Sequence, residues 1–376
     1  MSDSVLKWVK AALLNGLLMV AGLAFGGLAG EAMTRIFAPQ LLYRYPRGLY
    51  IAHATRHYQL APEFRGRLTT PDYDVRVNTN SLGLREDREF GKKPAGTFRI
   101  LVLGDSFTMG VGVEADQTYA SVLEHILNSM GSRTRFEVIN TGVPSYSTRE
   151  EALYLAQEGL KLEPDLVLVG FFIGNDVEDN ARERDETVVD GELVGTIAPR
   201  GVLPIGIRSF LARHSQLYHL LWPYQRKLQQ LFTHDQDAAS GPASGPLLLY
   251  SDPSAPPMIQ EWRALDESVG HLVETARSHR IPVAAIIIPD PLQIDTVAWR
   301  AAASSAGISE DRRREPIGRV ASIFQQHGVP SLDLFDFLDG SMSFRLDRHW
   351  KPENHRRAGA AIATFLRAEN LIPSGN

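Results

Sequence analysis

The longest apolar run comes first. Residues 11–30, AALLNGLLMVAGLAFGGLAG, carry no charge, follow Lys7 and Lys10, and are closed by Glu31 and Arg35. A helix needs about 20 apolar residues to cross the hydrocarbon core of a bilayer, so the run predicts an uncleaved transmembrane anchor over residues 1–35. Its rival is a secretory signal cleaved near GLAGEA. Positive charge ahead of the span predicts a single pass through the inner membrane, a cytoplasmic N-terminus and a body on the periplasmic side. Arg35, Arg44 and Arg47 run against that orientation. Residues 36–97 are punctuated by Pro39, Pro46, Pro62 and Pro71. YDVRVNTNSLGLRED, from Tyr73, alternates apolar and polar and then turns at Asn80-Ser81, the pattern of a hairpin or short strand. This segment reads as a membrane-proximal extension packed on the main domain.

From residue 98 the pattern changes. FRILVLG (98–104), FEVIN (136–140), DLVLVGFFIG (165–174) and VAAIIIPD (283–290) are short, nearly continuous apolar runs, and they predict buried strands. Between them, DQTYASVLEHILNSM (116–130) and TREEALYLAQEGLKL (148–162) space their apolar residues helically. Thr148 with Glu151 three residues on reads as a capping box. A last helix is expected over 352–368. Strands alternating with helices predict an α/β domain over 98–376, a parallel sheet covered on both faces. An insertion occupies about residues 180–260. It holds an amphipathic helical stretch at 208–232, read as a lid or packing helix, and a Gly/Ala/Ser/Pro-rich loop from 235 onward.

Composition removes whole classes of function. The 376 residues have a net charge of -5 and no long basic run, so the footprint of a nucleic-acid binder is missing. There is no cysteine, which excludes disulfides, thiolate metal sites and a cysteine nucleophile.

Four segments reach the carboxyl edge of the expected sheet, where doubly wound folds build their sites. They end in Gly104-Asp105-Ser106, Asn140-Thr141-Gly142, Gly174-Asn175-Asp176 and, before the last helix, Leu346-Asp347-Arg348-His349-Trp350. Acyl transfer needs a nucleophile, a base within reach, an acid to orient the base, and donors aimed at the developing oxyanion. Ser106 supplies the hydroxyl and His349 the imidazole. Asp347 falls on the same side as His349 if the segment is extended. Gly142 offers a close backbone N–H and Asn175 an amide. Asp105 reads as a helix cap bracing the loop, and Asp176 as a second supporting carboxylate.

These blocks resemble those of the SGNH (GDSL-type) hydrolases: Gly-Asp-Ser at 104–106, Gly142, Gly-Asn-Asp at 174–176 and Asp347-x-His349. The likeness covers roughly residues 97–370 and implies a flavodoxin-like sheet and ester chemistry. It also implies a serine nucleophile at Ser106, an oxyanion hole from Ser106, Gly142 and Asn175, and His349 as base supported by Asp347. Two departures stand out. Ile173 holds the place where the family's third block often has glycine, and the last block is one residue shorter than Asp-x-x-His. The shorter form is similar to cell-envelope members, including the O-acetyltransferase-like branch.

The expected function is therefore a membrane-anchored serine esterase acting on an acylated envelope glycan or lipid, or on a smaller ester, with no metal or nucleotide cofactor. The alternatives are an O-acyltransferase of envelope polysaccharide and a non-catalytic glycan-binding component of an assembly complex. No Gly-x-Ser-x-Gly elbow surrounds Ser106, and no Gly-Lys-Ser/Thr follows its glycines. His214 and His219 lack a ligand-spaced carboxylate and read as structural, His355 as solvent-facing, and Asp333, Asp336 and Asp339 as a solvated turn rather than a metal site.

Overall fold

The computed structural model describes residues 3–40, 45–131, 133–182, 186–189, 191–195, 207, 210–211, 214–221, 246–254, 256 and 258–373. They form two compact units, Met1–Arg44 with Pro199–Ala239, and Tyr45–Ala198 with Ser240–Asn376.

The first unit is built on α1 (Asp3–Phe37). Its stretch Ala12–Phe37 is long and apolar enough to cross a membrane and is not covered by protein. Leu17, Leu23, Phe25 and Leu28 are each more than 60% exposed. At its far end Glu31 accepts hydrogen bonds from the Ser215 hydroxyl (2.7 Å) and the Gln216 and Leu217 N–H groups (3.0 Å each), capping the short helical stretch that follows. Most of the amphipathic stretch expected at 208–232, and most of the loop expected from 235, lie outside the described residues.

The second unit holds the sheet. Five parallel strands, β5 (Thr97–Gly104), β6 (Arg135–Asn140), β7 (Leu166–Phe172), β10 (Val283–Ile288) and β11 (Ser331–Asp333), lie in the order β11-β10-β7-β5-β6. Numbered along the chain this is 2-1-3-4-5, the flavodoxin-like doubly wound order. The three central strands are buried on both faces, which is why they read as unbroken apolar runs rather than alternating ones. One face packs on α4 (Thr148–Gln157), α6 (Met258–Ser278) and α9 (Glu315–Gln326). The other packs on α3 (Tyr119–Ser129) and α10 (Pro352–Ala368). The helices α7 (Pro291–Ile294) and α8 (Thr296–Ala306) follow β10.

Residues 45–97 form two hairpins, β1–β2 (Tyr50–His53, His57–Leu60) and β3–β4 (Arg65–Thr69, Asp74–Asn78). The segment read from Tyr73 is the short strand β4, the second of the latter pair, and it is followed by a turn at Asn80–Gly83, where the Gly83 N–H donates to Asn80 O (3.0 Å). These hairpins share a core with Met109, Val111, Val143 and Tyr146. The insertion opens as a third antiparallel hairpin, β8–β9 (Glu186–Val189, Glu192–Gly195), ahead of the helical stretch and loop expected within it. The Asp190-Gly191 pair in the sequence is the turn signal that announces it.

Candidate active site

The site begins where β5 stops. Gly104 ends the strand, Asp105 caps the next turn by accepting the Phe107 N–H on Oδ1 (2.9 Å), and Ser106 opens α2 (Ser106–Met109). This helix is a single turn, and its second N–H, that of Phe107, is taken by the cap. It ends at Gly110 in the left-handed region (φ 82°), a conformation glycine adopts without cost. The Arg85 guanidinium, buried between the extension and this turn, donates to the carbonyls of Met109 (3.0 Å), Gly110 (2.5 Å), Val113 (2.5 Å) and Arg76 (2.9 Å). Burial lowers its pKa to about 10, still charged at neutral pH. The Ser106 loop is thus clamped from a segment whose sequence shows no catalytic pattern.

Ser106 Oγ lies 2.8 Å from His349 Nε2, and His349 Nδ1 lies 2.8 Å from Asp347 Oδ1. The Asp347 side chain is fully buried and His349 is 11% exposed. A carboxylate on Nδ1 fixes the N–H there and leaves Nε2 as the acceptor for the serine proton. Asp347 and His349 do not meet along an extended strand, as expected from their spacing. Arg348 between them has φ 70°, a left-handed residue that closes the turn Phe344–Arg348, and the chain doubles back so that Phe344 N–H donates to His349 O (2.8 Å). Phe107 packs on the imidazole at 4.8 Å between ring centres and on Trp350 at 5.1 Å, giving His349 an aromatic wall.

Two residues that sequence reasoning missed complete the acid end. The Tyr73 hydroxyl donates to Asp347 Oδ2, and Asp72 Oδ2 accepts the backbone N–H groups of Leu346 (2.7 Å) and Asp347 (2.8 Å). Both lie in the turn that leads into β4. The only signal available was a Tyr after an Asp in a polar turn, which is too common to single out.

The expected oxyanion donors differ among themselves. The Asn175 amide nitrogen donates to Asp179 Oδ2 (2.8 Å), which uses one of its two hydrogens. The Gly142 N–H is already engaged by Asn140 Oδ1 (3.0 Å). Gly142 is glycine for a different reason: a Cβ there would lie 2.2 Å from Met109 N, against the nucleophile turn. Three residues on, Ser145 has φ 63°, is the first partly exposed position after nine buried ones, and its N–H has no acceptor among the described residues. Asp176 turns away from solvent, and its Oδ2 accepts the Phe172 N–H (2.8 Å).

His355, expected to face solvent, is buried on α10. Its Nδ1 accepts the Tyr119 N–H (3.2 Å), and burial lowers its pKa to about 3, which keeps the ring neutral. The sequence missed this because Asn354 and His355 lie on the helix face that carries Ala358 and Ile362 into the core. Asp333 and Asp336 are answered by Arg314, and Asp339 caps Ser341. The His214 ring stacks on Phe210 at 4.5 Å. Among the described residues no group of three or more His, Cys, Asp or Glu side chains is placed to hold a metal.

No family model and no curated protein matches the chain. Solved structures similar to it include a lipase/acylhydrolase from Enterococcus faecalis (14% identity over 72% of this chain and 96% of that one, TM-score 0.40). They also include Est24, a carbohydrate acetylesterase from Sinorhizobium meliloti (13%, 72% and 99%, 0.37), and the psychrotrophic esterase EstA from Pseudoalteromonas sp. (10%, 72% and 98%, 0.39).

Proposed function

We propose that the chain is a serine ester hydrolase of the SGNH type, held at a membrane by α1. One observation carries the reading: an unbroken Ser106–His349–Asp347 relay, 2.8 Å at each step, at the carboxyl edge of a flavodoxin-like sheet. Ser106 Oγ attacks the ester carbonyl as His349 Nε2 takes its proton. The negative charge that develops on the carbonyl oxygen is met by the Ser106 N–H and the second Asn175 amide hydrogen. The Gly142 N–H, expected as the third donor, is engaged by Asn140 Oδ1 (3.0 Å). His349 then gives its proton to the leaving alkoxide, the C–O bond breaks, and an acyl-serine remains. Water repeats the cycle, losing a proton to His349 and releasing the acid.

An exposed apolar helix in the first unit supports an anchored enzyme, and lysines ahead of it support a periplasmic body and an envelope ester as substrate. The test is turnover of an aryl acetate by the full chain, with and without a saccharide acceptor, beside labelling by a serine-directed phosphonate. Acetate release and a label lost in Ser106→Ala support the reading. Acetyl transfer to the sugar would reassign the protein as an acyltransferase, and a wild-type chain that neither turns over nor labels would overturn it.

A further inference from the structure

Behind the nucleophile lies a group of acids that the hydrolytic cycle does not use. The capping box of α4 is formed by Ser147 and Glu150, one residue earlier than the expected Thr148–Glu151 pair: Glu150 Oε2 accepts both the Ser147 N–H (3.1 Å) and hydroxyl (2.7 Å). That register leaves Glu151 facing inward, 1% exposed, with neither carboxylate oxygen hydrogen-bonded among the described residues. Asp176, at the start of α5 (Asp176–Ala181), is fully buried, and its Oδ1 has no partner either. Asp105, 1% exposed, holds the Phe107 N–H on one oxygen, while the other lies 3.4 Å from Ser106 Oγ. The three carboxyls come from three elements: burial first, then the Asp105 charge, and beside it the Glu150 charge for Glu151 and the Glu151 charge for Asp176, push Glu151 and Asp176 well above the ordinary range. Burial pushes Asp105 up to about 6.

The surroundings give little positive charge in return. Glu150 on α4, Asp179 on α5, Tyr119 on α3 and Tyr45 ahead of β1 face the group, and all are acids. His349 faces Asp105, and Arg149 pairs with Glu150 (2.9 Å); among the described residues no fixed cation is paired with Asp105, Glu151 or Asp176. Three buried carboxylates with no fixed cation would cost far more than keeping protons among them. An orphaned carboxylate is an acceptor without a donor; a protonated one is a donor, and its two carboxyl neighbours are acceptors.

We propose that Glu151 carries a proton through the working pH range and is a positioning residue for Ser106, donating into the Asp105–Asp176 pair so that the cap of the nucleophile turn is held in place. The proposal rests on the serine-ester reading above. As pH rises the group loses its proton, a second charge appears beside Asp105, and the cap loses its donor.

The test compares Glu151→Gln and Glu151→Ala in the full chain with an aryl acetate. Glu151→Gln keeps a donor of the same size and is expected to retain most of the wild-type kcat at neutral pH. Its alkaline decline should begin at higher pH than that of the wild type. Glu151→Ala is expected to lower kcat by about 100-fold with little change in KM, the loss a shifted nucleophile gives. The infrared C=O stretch of a protonated carboxylic acid should be present in the wild type at neutral pH and lost in Glu151→Gln. Equal loss of kcat in folded Gln and Ala variants, matching pH profiles of Gln variant and wild type, or an infrared band unchanged by Glu151→Gln would each overturn the proposal. The band decides where the proton sits whether or not the ester is turned over, so a failed esterase reading and a failed proposal give different results.

Discussion

A serine hydroxyl is a weak nucleophile until its proton has somewhere to go. At Ser106 the path runs through His349 into a carboxylate that is itself held by the Tyr73 hydroxyl and, through its own backbone, by Asp72. Ser106→Ala is expected to remove essentially all ester turnover while leaving the melting temperature unchanged. Asp347→Asn, measured by kcat, is expected to cost about 10³-fold or more, because the amide no longer enforces the useful tautomer. Tyr73→Phe removes a buried hydrogen bond to a charged acceptor, and kcat/KM should fall by about 10- to 100-fold. His355 supplies a different prediction, on stability. Its folded pKa of about 3 lies below the ordinary 6.5, so between those values the unfolded chain binds more protons than the folded one. Stability from this ring is complete above pH 6.5 and is lost as pH falls toward 3, by up to about 1.4 kcal/mol per pH unit. A urea titration series should show that slope in the wild type, reduced in His355→Gln. Ser106, Asp347 and His349 were legible in the sequence because their side chains name their own chemistry. Tyr73, Asp72 and Arg85 were not, since each acts through a hydrogen bond that exists only once distant turns have met. Glu151 was hidden by a one-residue shift in the cap of its helix.

At the scale of elements, the central strands were legible for a simple reason: burial on both faces leaves an unbroken apolar run, which β5, β7 and β10 display. The three-residue β11 and the β8–β9 hairpin are too short or too mixed in composition to give such a signal. The nucleophile turn is the element most dependent on others. It has one turn of helix, a left-handed glycine at its end, a carboxylate cap at its start and a guanidinium on its last carbonyls. Arg85→Lys keeps the charge but not the fork of donors, so it is expected to lower both the melting temperature and the phosphonate labelling rate. Gly142→Ala places a methyl where Met109 N already stands and should abolish labelling in whatever fraction still folds.

For the whole molecule, the apparent border between a membrane-proximal extension and a catalytic domain at residue 97 is not where the working unit begins. Tyr45–Ala198 with Ser240–Asn376 forms one unit, and Asp72, Tyr73 and Arg85 belong to it. A chain beginning at residue 98 is therefore expected to be inactive toward an aryl acetate, whereas removal of α1 alone is expected to end membrane partitioning and spare turnover. Sequence pattern placed the border at 97 because the strand–helix alternation starts there, and alternation marks layers, not the reach of a hydrogen bond.

The bond between residue 72 and the 346–347 turn spans about three quarters of the chain, and Ser106 waits 243 residues for its base. A hydroxyl placed so far ahead of its imidazole stays an ordinary alcohol until residues 346–349 have been made and have folded back onto residue 72. On the serine-ester reading, cutting therefore waits on the closing of that loop and not on the making of Ser106 itself.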